Sequence, residues 1–208
     1  MDDVSRLSWI KGYYSSMNYP IKEFNLFGIR FPRAANKDKI NDFLGYFTDD
    51  EIFITVGTTK PGVDFVNKPE GVAGVFTLME GRHERIWSPG FHGSDKPESG
   101  LKRHAALVNN SRYCKCTKGW RDINKNYVYD DGDIVVCDYF AVNFHCMGQV
   151  EENRSDIRRM SAGCQVVRSK KDFEKIIAKF KNIYKSLGNA ATTDYVLFKS
   201  TEIPDGFV

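Results

Sequence analysis

Helical periodicity is confined to two segments near the ends of this 208-residue chain, and strand-like patterns fill the region between them. In the first segment, apolar side chains recur three or four residues apart at Val4, Leu7, Ile10, Tyr14 and Met17. This spacing predicts an amphipathic helix over about residues 3–18. In the second segment, Ser169 and Asp172 form a capping pattern before a continuous apolar stripe, which predicts a helix over about residues 170–187.

Short alternating or β-branched runs between these helices predict a β-rich core. They lie at residues 23–31, 52–56, 75–79, 134–144, 165–167 and 195–198. Residues 63–74 and 88–100 are rich in Gly, Pro and polar side chains, which predicts loops, the second of them long and exposed. This order of elements favours a single α+β domain spanning 1–208, with a mainly antiparallel or mixed sheet and flanking helices.

Composition and charge limit the classes of partner. The hydrophobic fraction of 41% is enough for one well-filled core. The net charge of +3, from 30 basic and 27 acidic side chains, argues against a nucleic-acid-binding surface. The apolar runs fall short of the roughly 18 residues that a membrane span needs, so no membrane span is expected.

The cysteines and the N-terminus bear on the compartment. Five cysteines without regular spacing do not predict a disulfide framework. The start Met1-Asp2-Asp3 lacks the basic and apolar regions of a secretory signal. We therefore expect synthesis in a reducing cytoplasm, with any action outside it depending on delivery by another component.

A thiol and an imidazole lie at the ends of two strand-like runs. His145 closes the run at 134–144 and Cys164 precedes the run at 165–167, so pairing of these strands would bring both side chains together. A cysteine attacks as thiolate, and a neighbouring imidazole is expected to lower its pKa. Gly163 allows close approach of a substrate carbonyl, so the amides of Gly163 and Cys164 are candidates for holding an oxyanion.

The spacing of these residues resembles a known active-site motif. His145 is followed sixteen residues later by Ser161-Ala162-Gly163-Cys164, a pattern similar to that of the L,D-transpeptidase catalytic domain family. Together with Phe27-Gly28-Ile29-Arg30 and Asn143-Phe144-His145, it looks like bacteriophage-type relatives of that family that act on peptidoglycan. The resemblance implies an L,D-transpeptidase-like fold with a catalytic segment over about 134–168.

The same resemblance implies a chemistry and a partner. Cys164 would be the nucleophile and His145 the base, with Ser161 and Gly163 forming the catalytic turn. The partner would be the stem peptides of bacterial peptidoglycan, reached at the cell wall or in the periplasm. The chain departs from the family at Val166, where relatives carry Arg or Asn, so hydrolysis and transpeptidation both stay open.

Four further side chains are candidate substrate contacts. Asn143 shares a strand face with His145 and is expected either to orient the imidazole or to bind substrate. Arg168 lies on the strand face of Cys164, where it could supply a positive charge or remain a solvated strand-end residue. His92 and His104 flank the loop expected at 88–100, which makes them substrate contacts or surface histidines.

One acidic segment has the pattern of a calcium-binding loop. Asp122, Asn124, Asn126, Asp130 and Asp133 place oxygens at positions one, three, five, nine and twelve of a calcium-type loop. Tyr127 replaces the usual Gly at position six, and the alternative is a plain acidic hairpin turn. The one-residue gap between Cys114 and Cys116 is too short for a typical zinc site, so no cofactor is expected.

A function of another class fits the same sequence. A non-catalytic cell-wall-binding or virion structural module could keep the fold without turnover, and it should then tolerate Cys164→Ser.

Overall fold

The structure is a computed structural model that describes residues 1–32, 38–68, 74–93, 103–114, 116–138, 141–147 and 155–208. Its helices are α1 (Asp3–Ser16), α2 (Val63–Asn67) and α3 (Lys170–Ile183). The strands are β1 (Asn25–Arg30), β2 (Asp42–Phe47), β3 (Ile52–Thr58), β4 (Val75–Leu78), β5 (Gly81–His92), β6 (His104–Asn109), β7 (Thr117–Asp122), β8 (Ile134–Asp138), β9 (Phe144–Cys146), β10 (Gln165–Val167) and β11 (Thr193–Lys199).

Eight of these strands close into a barrel in the order β1-β11-β5-β6-β9-β10-β3-β2. The β1–β11 and β9–β10 pairs are parallel, and the other pairs are antiparallel. Strands β4, β7 and β8 form a separate antiparallel sheet. The predicted α+β class with a mixed sheet is confirmed, whereas the L,D-transpeptidase-like fold stays a prediction.

Strand alternation gives the barrel two buried faces. One face joins a cluster with α3, which includes Leu26, Leu44, Tyr195, Leu197, Phe173, Ile176 and Phe180. The other face packs against α1 and includes Ile10, Tyr14, Phe27, Ile29, Val196 and Phe198. Because successive strand residues point to opposite faces, β11 is apolar at four consecutive positions, 195–198, and these positions do not alternate between apolar and polar.

A hydrogen bond crosses the barrel interior beside the candidate site. The Tyr195 hydroxyl on β11 donates to Gln165 Oε1 on β10 at 2.9 Å, although these strands are not neighbours in the barrel. Gln165 Nε2 in turn donates to the carbonyl of Gly163 at 3.2 Å. Gly28 leaves room for this contact, since a Cβ there would lie 2.0 Å from the Tyr195 hydroxyl. These two hydrogen bonds connect the turn before β10 with β11 on the opposite side of the barrel.

The expectation of a loop over residues 88–100 is wrong for its described part. Strand β5 continues through Pro89 and Gly90 to His92 and pairs with β6. Gly90 packs against Val108, where a Cβ would meet the valine methyl carbon at 2.4 Å. Tertiary pairing with an apolar strand therefore overrides the local turn preference of Pro and Gly. Residues 94–100 lie outside the described residues.

Three other boundaries differ from the prediction. The run at 134–144 is divided between β8 in the small sheet and β9 in the barrel, and residues 139–140 lie outside the described chain. The loop expected at 63–74 begins with α2, and its residues 69–73 are not described. The second long helix ends at Ile183, and a 3₁₀ segment Lys185–Ala190 leaves Leu187 exposed.

The cysteine spacing predicts no disulfide framework, and the structure has one disulfide among the described residues. Cys116 and Cys137 form a disulfide between the start of β7 and the end of β8. The antiparallel register pairs Lys118 with Cys137, which brings the two cysteine backbones within 5.0 Å of each other. Cys114, Cys146 and Cys164 are buried thiols that are not part of this disulfide. Among the described helices, none is long and apolar enough to cross a membrane.

The packing of α3 against the barrel can be tested at Phe180. This side chain is fully buried, so Phe180→Ala should lower the free energy of unfolding by about 3–5 kcal/mol. Lys181→Ala, at the exposed neighbouring position, is the matched control and should change it little. Urea denaturation measures both, and equal stability of the two variants would contradict this packing.

Candidate active site

Parallel pairing of β9 and β10 brings the predicted thiol and imidazole together. The register places His145 beside Val166, and Cys164 directly precedes β10. Both side chains are buried, with 2% of His145 and 7% of Cys164 exposed. The Cys164 sulfur, a ring nitrogen of His145 and a ring nitrogen of His92 all lie within 4.8 Å of one another.

The tautomer of His145 is set by a backbone contact. Its Nδ1 lies 2.9 Å from the carbonyl oxygen of Cys146, which accepts only, so Nδ1 carries the proton and donates. The Nε2 atom then carries a lone pair, and it is buried without a hydrogen-bond partner among the described residues. Burial first, and the neighbouring His92 second, hold the pKa of His145 well below its usual range. His145 is therefore a neutral acceptor.

The thiol of Cys164 is held between two backbone groups. The Asn143 amide donates to Sγ at 3.4 Å, and Sγ lies 3.8 Å from the carbonyl of Ala141. Burial raises the pKa of Cys164 to about 11, and the Asn143 amide opposes this rise. The expectation of a lowered thiol pKa is wrong here, because removal from water disfavours the thiolate more than one amide stabilises it.

Asn143 organises the site with all of its polar groups. Its Oδ1 accepts from the Asn109 amide at 3.0 Å, which fixes the side-chain orientation. Its Nδ2 therefore faces Nδ1 of His92, at 2.9 Å. Its carbonyl accepts from the amide of Gln165 at 2.9 Å. The imidazole that Asn143 orients is that of His92 and not that of His145.

His92 and His104 join the site from the neighbouring wall. They face each other across the β5–β6 pair. The His92 ring stacks on His145 with centroids 4.1 Å apart, and the His104 ring lies 5.4 Å from His145 and 5.6 Å from His92. Burial lowers the pKa of His92 to about 4, and His104 contributes to the shift. Three imidazole rings are thus clustered here, and ring nitrogens of two of them, His92 and His145, lie close to the Cys164 sulfur.

Ser161 and Gly163 build the turn that presents Cys164. The Ser161 hydroxyl donates to the carbonyl of Cys164 at 2.7 Å and accepts from the Gly163 amide at 3.0 Å. Gly163 has a φ of +123°, and a Cβ there would lie 2.5 Å from the carbonyl oxygen of Phe76. The Gly163 amide proposed for an oxyanion is thus already engaged within the turn.

Arg168 is not placed beside the thiol. It follows β10 at the end opposite to Cys164, and four residues of strand correspond to about 13 Å. Its backbone amide donates to the carbonyl of Val56. Its role as a substrate contact stays a prediction.

The calcium-type loop is held by its own hydrogen bonds. Asp122 accepts from the amides of Asn126 and Tyr127, and the side-chain amides of Asn124 and Asn126 both donate to Asp130. Asp133 accepts from the amides of Ile123 and Asp130. These contacts are those of an acidic hairpin turn, and calcium binding stays a prediction.

A cavity of about 510 Å³ lies apart from the histidines and Cys164. Its lining includes Trp120 and Tyr129, and also Arg30 and Lys60. The Arg30 guanidinium is paired with Glu80, and Lys60 is paired with buried Asp42. The two buried cationic side chains in the cavity lining, Arg30 and Lys60, are therefore already paired with carboxylates of the protein.

Comparisons of the chain with models of protein families, with curated proteins and with solved structures give no match.

The turn before Cys164 can be tested at Gly163. We expect Gly163→Ala to lower the free energy of unfolding by about 2 kcal/mol or more, because a Cβ is strained at this φ and meets the Phe76 carbonyl. Ala162→Ser, at the exposed adjacent position, should have little effect. Thermal denaturation compares the two, and an unchanged Gly163→Ala protein would contradict the turn geometry.

Thiol alkylation tests the environment of Cys164. Its raised pKa predicts slow reaction with iodoacetamide at pH 7.5, with a rate that still increases above pH 9. The same thiol in urea-unfolded protein should react as an ordinary cysteine of pKa about 8.5. Mass analysis of the modified peptides gives the rates. A rate that already reaches its plateau below pH 7 in the folded protein would contradict a neutral buried thiol.

Proposed function

We propose that the protein is a cysteine-dependent acyl-transfer enzyme that uses Cys164 as the nucleophile and His145 as the base. The observation that carries this proposal is that Nε2 of His145 is buried without a hydrogen-bond partner among the described residues, in a ring with a nitrogen within 4.8 Å of the Cys164 sulfur. The bond from Nδ1 to the carbonyl of Cys146 leaves Nε2 as the acceptor. A buried acceptor without a partner costs free energy, and transfer of the thiol proton would satisfy it.

The reaction begins from the neutral pair. As Sγ of Cys164 attacks a carbonyl carbon, its proton passes to Nε2 of His145, so that no free thiolate accumulates. The resulting imidazolium returns the proton to the leaving amine as the carbon–nitrogen bond breaks, which yields a thioester on Cys164. Water or a second amine then attacks the thioester, with His145 again accepting and returning the proton.

Contacts of Asn143 and Cys146 support these reaction steps. The Asn143 amide donates to Sγ, and this bond strengthens as negative charge develops on sulfur. The carbonyl of Cys146 keeps the proton on Nδ1 and stabilises the imidazolium that forms on His145. Asn143 also holds the His92 ring, which stacks on His145 and limits its rotation.

The substrate class rests on the motif resemblance. The spacing of His145 from Ser161-Ala162-Gly163-Cys164 favours the stem peptides of peptidoglycan, with either hydrolysis or transfer as the outcome. The Cys116–Cys137 disulfide supports action in an oxidising environment outside the cytoplasm. We therefore propose a peptidoglycan-directed hydrolase or transpeptidase that is delivered to the cell wall or periplasm after synthesis.

The rival function is a non-catalytic wall-binding or virion structural module. The buried His145 acceptor favours the enzyme, since a purely structural histidine gains from having both ring nitrogens paired.

Turnover separates these two functions. Cys164→Ala should abolish release of muropeptides from purified peptidoglycan while co-sedimentation with the wall stays unchanged, because the thiol acts in bond breaking and adds little ground-state binding. His145→Ala should cause a similar loss, since the two groups act as one unit. Cys114→Ala removes a buried thiol that lies outside the histidine cluster and should retain activity. Wild-type protein that binds the wall but releases nothing between pH 5 and 9 would establish the rival function.

A further inference from the structure

We propose that His92, His145 and Cys164 form a binding site for Zn²⁺ with three protein ligands and one open position. Their donor atoms lie within 4.8 Å of one another, and His145 and Cys164 are almost fully buried. Imidazole nitrogen and thiolate sulfur are the donors that Zn²⁺ prefers. Three protein ligands with a fourth position left for water are typical of zinc sites that exchange ligands.

His145 is already prepared as a ligand. A metal-bound histidine commonly donates its other ring N–H to a carbonyl, which fixes the tautomer and the ring orientation. Nδ1 of His145 makes this bond to the carbonyl of Cys146, and Nε2 has a free lone pair. Coordination would give this buried nitrogen the partner that it lacks among the described residues.

Cys164 is also positioned to act as a zinc ligand. The Asn143 amide donates to its sulfur, a contact that stabilises a metal-bound thiolate. On binding Zn²⁺ the thiol loses its proton to solvent, and a zinc–sulfur bond replaces the sulfur–hydrogen bond. The fixed position of the sulfur between residues 141 and 143 means that little side-chain entropy is lost on coordination.

Small movements complete the site. Tetrahedral zinc geometry places ligand atoms roughly 3.3–3.6 Å apart. The three donors lie within 4.8 Å of one another, so they must approach by at most about 1.5 Å. Coordination through Nε2 of His92 also requires a proton on its Nδ1, where Asn143 now donates. Rotation of the Asn143 amide would supply an acceptor, at the cost of its bond to the Asn109 amide. His104 lies beside both rings.

Zinc binding and catalysis would exclude each other. The cation would occupy the Cys164 sulfur and the Nε2 lone pair of His145, the two atoms that the acyl-transfer reaction uses. Inhibition by Zn²⁺ therefore rests on the proposed function, whereas the binding of Zn²⁺ does not.

The test is direct metal binding by the full chain. Chelator-treated protein is titrated anaerobically with Zn²⁺ in a calorimeter, without added thiols, and Co²⁺ is used as a spectroscopic probe of the thiolate–metal bond. We expect one equivalent to bind, with release of protons and a thiolate-to-cobalt charge-transfer band. Circular dichroism and thermal denaturation show that each variant is folded.

Two ligand variants and a matched control locate the site. Cys164→Ser and His145→Ala should weaken zinc binding by more than the roughly 10–100-fold that is lost when a residue hydrogen-bonded to a metal ligand is removed. Cys164→Ser should also remove the charge-transfer band. Cys114→Ala should leave binding intact, because the sulfur of this buried cysteine contacts Cys116 and Thr117 and lies outside the histidine cluster.

A gain-of-affinity variant tests the orientation of His92. Asn143→Asp offers a carboxylate to Nδ1–H of His92 and can still accept from the Asn109 amide, so zinc affinity should increase by about 10-fold.

No saturable binding to wild-type protein, or one-to-one binding that Cys164→Ser leaves unchanged, would overturn the proposal. Muropeptide release by the metal-free protein is measured in parallel. Release without zinc binding refutes only the zinc site, and zinc binding without release refutes only the acyl-transfer function.

Discussion

The parallel pairing of β9 with β10 is the constraint on which the barrel and the candidate site both depend. This pair closes the barrel between β6 and β3, and its register sets His145 beside Val166. The hydrogen bonds from Tyr195 to Gln165 and from Gln165 to Gly163 hold the start of β10 from across the interior. A shift of one residue would turn His145 into the barrel and separate it from Cys164.

Burial determines the chemistry that this arrangement permits. It raises the pKa of Cys164 and lowers that of His145, so the stable state is an uncharged thiol beside an uncharged imidazole. In such a pair the thiol loses its proton only when the sulfur attacks a substrate or binds a cation. The same two atoms are therefore suited to acyl transfer and to zinc binding.

The sequence predicts the parts of the site that depend on local pattern. Apolar runs on either side of His145 and Cys164 predict two strands that can pair, and the small residues before Cys164 predict its turn. The contribution of β5 could not be predicted, because Pro89 and Gly90 carry a local turn signal that pairing with β6 overrides. The stacking of His92 on His145 depends on that pairing and has no local signature.

Trapping the covalent intermediate tests the central claim most directly. Protein mixed with a soluble peptidoglycan stem-peptide fragment is quenched in acid, and intact-mass and peptide-mass spectrometry locate any adduct. The proposed mechanism predicts a mass increase that corresponds to the acyl part of the fragment, carried on the peptide containing Cys164 and absent in Cys164→Ala. An adduct on another residue, or turnover without any adduct on Cys164, would contradict it.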